Sequence, residues 1–413
     1  MNVNNIITKA LEAEQSLATH DAATRNAFLN ELASALKKHK KTVLLANKAD
    51  VGIVGDTRTE AFIDRMMLND TRYDSIIEGV VQVEKQGEVV GTRYDKTKHQ
   101  SGITTEKMRI PLGVIFMIYE SRPNVTIDAA CLAIKSGNVI ILKGGSETKK
   151  TNKAFSEAIK TSLRKVGLSE DCVQVIIDDA RATTPELLKR SDAIDLVIPR
   201  GSRRLLEFVN ENSSIATLLH LEGNCHMYID KDADTDMAVR LVLNAKTQRL
   251  GTCNTLESLL VHSDIADDVL ADIIEQLDGK GIEIRGDDRA MKINRHVVRA
   301  KEDDWSCEYL DAIISVRIVN SDDEAIKHIN TYGSGHTDAI VTGDKTTANK
   351  FIRLVDSASV MHNTSTRFAD GFEYGLGSEI GISTGKLHAR GPVGAEGLTT
   401  YKWVVYSNGA VRC

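Results

Sequence analysis

Apolar side chains recur at helical spacing through the first ninety or so residues. Ala27-Phe28-Leu29, Leu32 and Ala35-Leu36 return every three to four positions, and Val43-Leu44-Leu45 continues the stripe. That period lines one face of a helix, and no proline interrupts it before Pro111. Residues 1 to about 90 are therefore predicted to be helical. The polar stretch Gly91–Lys107, rich in Thr and Lys, carries neither helical nor strand alternation and reads as a surface hairpin or arm.

From Lys107 onward, short apolar runs alternate with helical segments. Ile115–Tyr119, Val139–Leu142, Val173–Ile177, Asp195–Ile198 and Ile215–Leu219 are strand-like. Helices are predicted between them at Ile127–Lys135, Lys149–Lys165, Pro185–Lys189 and Ser202–Asn210. A second series has strands at Met227–Ile229, Leu256–Val261, Ile282–Ile284, Ile313–Val319, Ala339–Val341 and Ser359–Met361. Its helices fall at Asp234–Lys246 and near Ile265–Leu277. Uninterrupted apolar strands joined by crossover helices predict parallel sheets covered on both faces. Two successive α/β units with a break near Asp230 is the simplest division. The chain ends in a glycine-dense stretch, Gly371–Gly397, and a β-branched, aromatic strand at Thr400–Tyr406. With no helix after it, that strand is expected to pair with the Gly91–Lys107 hairpin or with another subunit.

A chain of 413 residues is too long for one core, which agrees with two units. Apolar residues at 42% and charged residues at 27% are the mix of an ordinary globular protein. The formal net charge of −6 argues against nucleic acid or an anionic membrane as the main partner. Six cysteines without a C-x-x-C pair fit neither a zinc site nor a disulfide framework, and suggest a reducing compartment. The N-terminus lacks a basic segment followed by an apolar one, and runs such as Val114–Tyr119 are too short to span a bilayer. A soluble cytoplasmic protein is expected.

Several familiar patterns fail on inspection. Gly375-Leu-Gly377-Ser-Glu-Ile-Gly381 has one residue too many for a dinucleotide loop, and no strand precedes it. Gly381-Ile-Ser-Thr-Gly385-Lys386 is one residue short of a P-loop. The aspartates at 230, 232, 234 and 236 imitate a calcium loop but lack its glycine and terminal glutamate. No H-x-x-x-H pair supports a metal.

Three segments carry candidate chemistry. In Asn244-Ala-Lys-Thr-Gln-Arg-Leu-Gly-Thr-Cys253-Asn254, a polar connection leads from a helix to a thiol and then to a strand. Such a junction leaves a thiol partly exposed with backbone N–H groups nearby, as a nucleophile requires; the other reading of Cys253 is a small buried apolar side chain. In Ile110–Thr126, Pro123 stiffens a turn and Asn124 opens a helix, where its amide either caps the helix or donates to an oxyanion. In Ile140-Ile-Leu-Lys143-Gly-Gly-Ser146, a lysine precedes free backbone N–H groups suited to phosphate or ribose, unless it is only a solvated strand end.

Taken together, these segments resemble the aldehyde dehydrogenase superfamily along nearly the whole chain, and within it the branch that reduces an amino-acid acyl phosphate. The likeness is carried by Tyr119-Glu-Ser-Arg-Pro-Asn-Val-Thr126, Leu142-Lys-Gly-Gly-Ser146, Gly223-Asn-Cys-His226, Asn244-Ala-Lys-Thr-Gln248 and Cys253-Asn254. It continues in Glu308-Tyr-Leu-Asp311, Tyr332-Gly-Ser-Gly-His336, Ser365-Thr-Arg-Phe368, Gly381-Ile-Ser-Thr384 and Lys386-Leu-His-Ala-Arg-Gly-Pro-Val-Gly394. The Trp-Asn-Phe-Pro string usual in enzymes that oxidise free aldehydes is absent.

The resemblance implies an α/β, aldehyde-dehydrogenase-like fold of two Rossmann-like α/β domains plus a small β oligomerisation arm. Residues 1–91 and 108–229 would form the cofactor-binding domain, 230–388 the catalytic domain, and 92–107 with 389–413 the arm. It implies NADPH-dependent reduction of L-glutamyl 5-phosphate to L-glutamate 5-semialdehyde and phosphate, the second step of proline biosynthesis. Cys253 falls on the nucleophile that forms a thioester, and Asn124 on the oxyanion asparagine. Lys143 falls on the lysine that meets the adenosine ribose or its 2′-phosphate, Gly201-Ser202 on the pyrophosphate loop, and Glu308 on the glutamate that grips the nicotinamide ribose. Arg122 and Arg367 are candidate clamps for the anionic substrate, or else partners in ion pairs. A homo-oligomer and association with glutamate 5-kinase are the implied partnerships.

Two departures stand out. Leu250 replaces a proline frequent in the family, with Gly251 retained, and the water-activating glutamate of aldehyde-oxidising relatives falls near His220, with Glu222 two residues on. A reductase has no use for such a base, because water would consume the thioester. The competing readings are a CoA-acylating or aldehyde-oxidising enzyme on the same scaffold, and a catalytically silent binding protein.

Overall fold

The computed structural model describes residues 2–55, 58, 60–120, 122–177, 183–218 and 222–412. The helical first ninety residues divide into α1 (Val3–Leu17), α2 (Ala22–Val54), α3 (Glu60–Met66) and α4 (Asp70–Lys85). Side-chain oxygens of Asn2, Asp21 and Asn69 accept from backbone N–H groups in the first turns of α1, α2 and α4, as helix starts require. Ile6, Ile7, Ala10, Ala13 and Leu17 form the buried face of α1, and Phe28, Leu29, Leu32 and Leu36 that of α2.

The polar stretch that follows is a hairpin of β1 (Arg93–Lys98) and β2 (Thr104–Pro111). A four-stranded sheet is then built from β3 (Val114–Tyr119), β4 (Val139–Gly144), β5 (Val173–Ile176) and β6 (Leu196–Arg200), all parallel, in the order β5-β4-β3-β6. Its helices are α5 (Val125–Lys135), α6 (Lys149–Lys165), α7 (Thr183–Leu187) and α8 (Arg203–Asn212). Strands β3 and the first four residues of β4 are wholly buried, which accounts for their unbroken apolar runs.

A second sheet comprises β7 (Cys225–Ile229), β8 (Leu256–His262), β9 (Glu283–Gly286), β10 (Val298–Arg299), β11 (Ile313–Val319), β12 (Thr337–Val341) and β13 (Ser359–His362). Its order is β10-β9-β11-β8-β7-β12-β13, parallel throughout. The helices of this part are α9 (Thr235–Thr247), α10 (Ala266–Asp278), α11 (Asp288–Ile293), α12 (Asp322–Tyr332) and α13 (Lys345–Leu354). The terminal strand β14 (Thr399–Tyr406) pairs antiparallel with β2, Thr399 opposite Pro111 and Tyr406 opposite Thr104. Of the two partners expected for it, the hairpin is the one found here.

By its contacts the chain forms two compact units. One holds residues 1–219, 375–381 and 387–413; the other holds residues 220–374 and 382–386. Each has its own apolar core. Three details depart from the sequence reading. The change of sheet comes before Cys225, not near Asp230, because Cys225–Ile229 is hydrogen-bonded to β8 and β12 of the second sheet. The hairpin runs past Lys107 to Pro111, because Met108–Pro111 find ladder partners in Thr399–Lys402. Ile215–Leu219 supplies only an isolated bridge, Thr217 to Val197, and Leu219 lies outside the described residues.

The N-terminus of α6 is also not open in the way the sequence suggested. Asp50 of α2 accepts from the Lys150 N–H at 3.2 Å, and from the Thr151 N–H and hydroxyl at 2.8 and 2.7 Å. This buried carboxylate satisfies donors that α6 does not cap for itself. Asp50→Ala is expected to lower the unfolding free energy of its unit by about 1–2 kcal/mol, the worth of a lost cap and its stranded amides. Urea denaturation checks this, and an unchanged midpoint would refute the capping role.

Candidate active site

Of the eight residues singled out in the sequence, five lie in the first unit, at the carboxyl edge of its four-stranded sheet. In the order β5-β4-β3-β6 the chain runs outward from β3 to β4 and β5, then returns to β6 on the other side of β3. The reversal leaves a crevice between the carboxyl ends of β3 and β6, where open α/β sheets bind their ligands. Gly201 and Ser202 form the turn from β6 into α8, and Arg122 and Asn124 the turn from β3 into α5. Lys143 is half-buried near the end of β4, paired with Ile118 of β3 and Ile176 of β5.

An anion already sits at this crevice. The Glu120 carboxylate accepts from the Ser202 N–H at 2.8 Å and from its hydroxyl at 3.3 Å. A Cβ on Gly201 would come within 2.6 Å of that carboxylate, so glycine lets the Glu120 side chain lie this close to the start of α8. One backbone N–H and one hydroxyl at the start of α8 thus already hold a carboxylate.

Asn124 occupies the N-cap position of α5 but does not act as a cap. Its backbone is already helical and its side chain makes no capping bond. Instead its Nδ2 donates to Asp128 at 2.9 Å, one turn along the helix. Burial pushes the Asp128 carboxyl up to about 6, opposed by hydrogen bonds from Asn124 and Ser378 and by the Arg200 charge. The start of α5 is further fixed by a buried polar chain: Tyr119 hydroxyl to Thr126 at 2.7 Å, Thr126 to Asn152 at 2.9 Å, and Asn152 to Thr148 at 3.1 Å. Of the two roles open to Asn124 in the sequence, capping is not the one adopted.

Cys253, Glu308 and Arg367 lie in the second unit, at the amino edge of its sheet. Cys253 is half-buried on the turn between α9 and β8. The turn is pinned from several sides. Thr255 Oγ1 donates to the Arg249 carbonyl at 2.6 Å, Thr366 Oγ1 to the Asn254 carbonyl at 2.8 Å, and Asn254 Nδ2 to the Ala369 carbonyl at 3.0 Å. The thiol of Cys225, at the start of β7, donates to the Cys253 carbonyl at 3.1 Å. Burial drives Cys225 well above the usual thiol range, which keeps it a protonated donor. Gly223 packs so closely that a Cβ there would lie 2.0 Å from the Cys253 carbonyl oxygen.

The Arg367 guanidinium lies along the same turn, donating to Gln248 Oε1 at 2.8 Å and to Thr252 Oγ1 at 2.7 Å. Burial lowers its affinity for the proton, while Cys253 and Asp370 pull the other way. Glu308 is half-buried, its carboxyl pushed up by desolvation and drawn back down by a hydrogen bond from the Gly223 N–H. Arg367 is therefore brought to the Cys253 turn directly, and Glu308 is joined to it through Gly223, which packs on the Cys253 carbonyl. Lys246 and Glu257 form an ion pair at 2.6 Å with no solvent exposure on either side chain.

Sequence reasoning passed over Glu120, Asp128, Cys225, Lys246 and Glu257 as individual residues. Asp128 was findable, being four positions from Asn124 on a helix. Nothing in local spacing marks the other four, whose partners lie 11 or more residues away in the sequence.

The matching family extends this picture. The model for the aldehyde dehydrogenase family matches residues 1–293, and the chain belongs to that family. Over 99% of its length it is 47% identical to a γ-glutamyl phosphate reductase of Psychrobacter arcticus, of which 98% is covered. The crystal structure of the γ-glutamyl phosphate reductase of Thermotoga maritima superposes with a TM-score of 0.95 at 41% identity, covering 100% of both chains. An acetylating aldehyde dehydrogenase from Geobacillus thermoglucosidasius shares the fold at a TM-score of 0.72 and 16% identity, covering 100% of this chain and 97% of its own.

Two predictions follow from the geometry. Gly223→Ala is expected to force the Cys253 carbonyl aside and slow alkylation of that thiol and turnover by about 10- to 100-fold, the usual cost of an ångström of misplacement. Wild-type alkylation kinetics in this variant would contradict the close packing. Asp128 binds its proton more tightly folded than unfolded, so its contribution to stability is present at low pH. That contribution is lost as pH rises from the ordinary carboxyl range through about 6. Asp128→Asn should remove this downward slope of stability with pH, measured by urea titration at several pH values; an unaltered slope would count against it.

Proposed function

We propose that this chain reduces L-glutamyl 5-phosphate to L-glutamate 5-semialdehyde and inorganic phosphate, the second step of proline biosynthesis, through a thioester on Cys253. The observation that carries the reading is the Cys253 turn. It presents a half-buried thiol on a backbone pinned by Cys225, Asn254 and Thr366, with the Arg367 guanidinium alongside.

Cys253, its thiol proton given up to solvent, attacks the carbonyl carbon of the acyl phosphate; the C–S bond forms, and the bond from that carbon to the bridging oxygen breaks as phosphate leaves with the electron pair. The backbone N–H of Cys253 and the Asn124 amide supply the donors for the oxyanion that develops on the carbonyl oxygen. Asp128, by accepting one Asn124 proton, sets which way that amide faces. NADPH, when bound, supplies the hydride that converts the thioester carbon to the thiohemiacetal level. Collapse of that adduct breaks the C–S bond, returns the thiol and releases the aldehyde.

The cofactor would be held by Lys143 at its adenosine ribose or 2′-phosphate, by Gly201 and Ser202 at its pyrophosphate and by Glu308 at its nicotinamide ribose. The Glu120 carboxylate on the Ser202 N–H supports the pyrophosphate assignment. Arg122 and Arg367 clamp the anionic ends of the substrate. Two of the five donors of Arg367 hold the Cys253 turn, so this residue also stiffens the loop beside the thiol. Residues 1–219 outside the hairpin serve the cofactor, 220–374 the chemistry, and the β1–β2 hairpin with β14 oligomerisation. The exposed Tyr401, Trp403 and Val405 on β14 support a homo-oligomeric role for that arm. Glutamate 5-kinase, the source of the labile acyl phosphate, is the proposed associate. The compartment is the cytoplasm, and no helix among the described residues is long and apolar enough to cross a membrane.

The direct test is phosphate-dependent reduction of NADP by glutamate semialdehyde, with and without the thiol. Wild type should turn over, and Cys253→Ala should fall to background. Full activity without the thiol would exclude it as nucleophile, and turnover with acetaldehyde and CoA in place of semialdehyde and phosphate would favour the CoA-acylating reading.

A further inference from the structure

Lys246 and Glu257 are the one buried ion pair among the described residues in which both side chains have no exposure at all. Bringing two charges out of water costs several kilocalories per mole, and a buried pair is often no more stable than apolar side chains of the same volume. Stability therefore does not explain the pair, and its position does.

Lys246 lies in the last turn of α9 and Glu257 is the second residue of β8, so their contact closes the segment that carries Cys253. The other oxygen of Glu257 accepts from the Leu310 N–H at 3.2 Å. Leu310, two residues after Glu308, holds a left-handed backbone with φ of 52°. A branched side chain keeps that conformation only where its surroundings hold it. The Glu308 carboxylate accepts in turn from the Gly223 N–H, and Gly223 packs on the Cys253 carbonyl. The contacts form a closed circuit from the thiol turn through Glu257, Leu310, Glu308 and Gly223 back to the thiol turn.

We propose that the Lys246–Glu257 pair is a positioning device for the reaction: it fixes the Cys253 turn and, through the Leu310 amide, the place where Glu308 presents its carboxylate. The inference rests on the roles given above to Cys253 and Glu308. The pair touches neither substrate nor cofactor. It sets the distance between the residue that carries the acyl group and the residue that grips the nicotinamide ribose.

Two double variants separate this tether from the charges. Lys246→Met/Glu257→Gln removes both charges and keeps an acceptor for the Leu310 N–H; Lys246→Met/Glu257→Leu removes the acceptor as well. The Gln version is expected to keep the wild-type unfolding midpoint, and the Leu version to lower it by no more than one stranded amide does. The Gln version should hold kcat/KM for NADPH within about threefold of wild type, whereas the Leu version should lose about 10- to 100-fold, as misplaced reacting groups do. The pH profile of Cys253 alkylation, followed by peptide mapping, should shift in the Leu version alone. Equal activity of the two versions, whether retained or lost, would overturn the proposal. If neither folds, the Leu310 amide in the wild-type protein decides: hydrogen exchange as slow as in β8 and β11 is expected, and exchange at loop rates would refute the tether. Neither alkylation nor exchange requires turnover, so failure here is distinct from failure of the functional reading, which Cys253→Ala tests.

Discussion

The role proposed for Cys253 asks that the thiol be reachable while the loop that bears it stays rigid, and the two demands meet at one turn. At a junction of helix and strand, backbone donors and acceptors lose their ladder and helix partners and must be satisfied elsewhere. Here side chains do it. Cys225, Asn254, Thr255 and Thr366 bond to the carbonyls of Cys253, Ala369, Arg249 and Asn254, and Arg367 braces Gln248 and Thr252. The anchors come from β7, from the turn itself and from the segment after β13. The folding of the second sheet is thus a condition for presenting the thiol.

The two units use opposite edges of their sheets. In the first, the crevice at the carboxyl ends of β3 and β6 gathers a helix N-terminus and a glycine that leaves room for an anion. In the second, the residues around the thiol stand at the amino ends of β7, β8 and β12. Gly223 and Cys225 precede or open β7, Cys253 precedes β8, and His336, whose Nδ1 lies 3.7 Å from the Cys225 sulfur, precedes β12. A reactive thiol at the amino edge, as proposed, departs from the general rule for parallel sheets. It explains why the thiol lies before its strand in the sequence and not after it.

Much of the fold was legible because its physics is local. Wholly buried parallel strands such as Val114–Tyr119 and Leu256–His262 advertise themselves as unbroken apolar runs, and α6 begins and ends where its helical period does. The places of Cys253, Asn124 and Gly201 at element junctions were legible as well, since Asn124 and Gly201 follow apolar runs and Cys253 precedes one. What escaped depends on tertiary partners. The strand at Cys225 begins before the apolar run at Met227, because its ladder lies in the second sheet. The donors of α6 are taken by Asp50, a hundred residues away in the chain. Glu257 looks like an ordinary charge in a strand until Lys246 and Leu310 are folded against it.

The account stands or falls on a thioester at Cys253 that phosphate, and not water, resolves. Mixing the enzyme with NADP and glutamate semialdehyde in the absence of phosphate isolates that intermediate in the reverse direction. The expected result is a rapid burst of about one NADPH per active site, followed by a stall, with a glutamyl group on the Cys253 peptide and resumption on adding phosphate. Steady turnover without phosphate, or no burst at all, would contradict it.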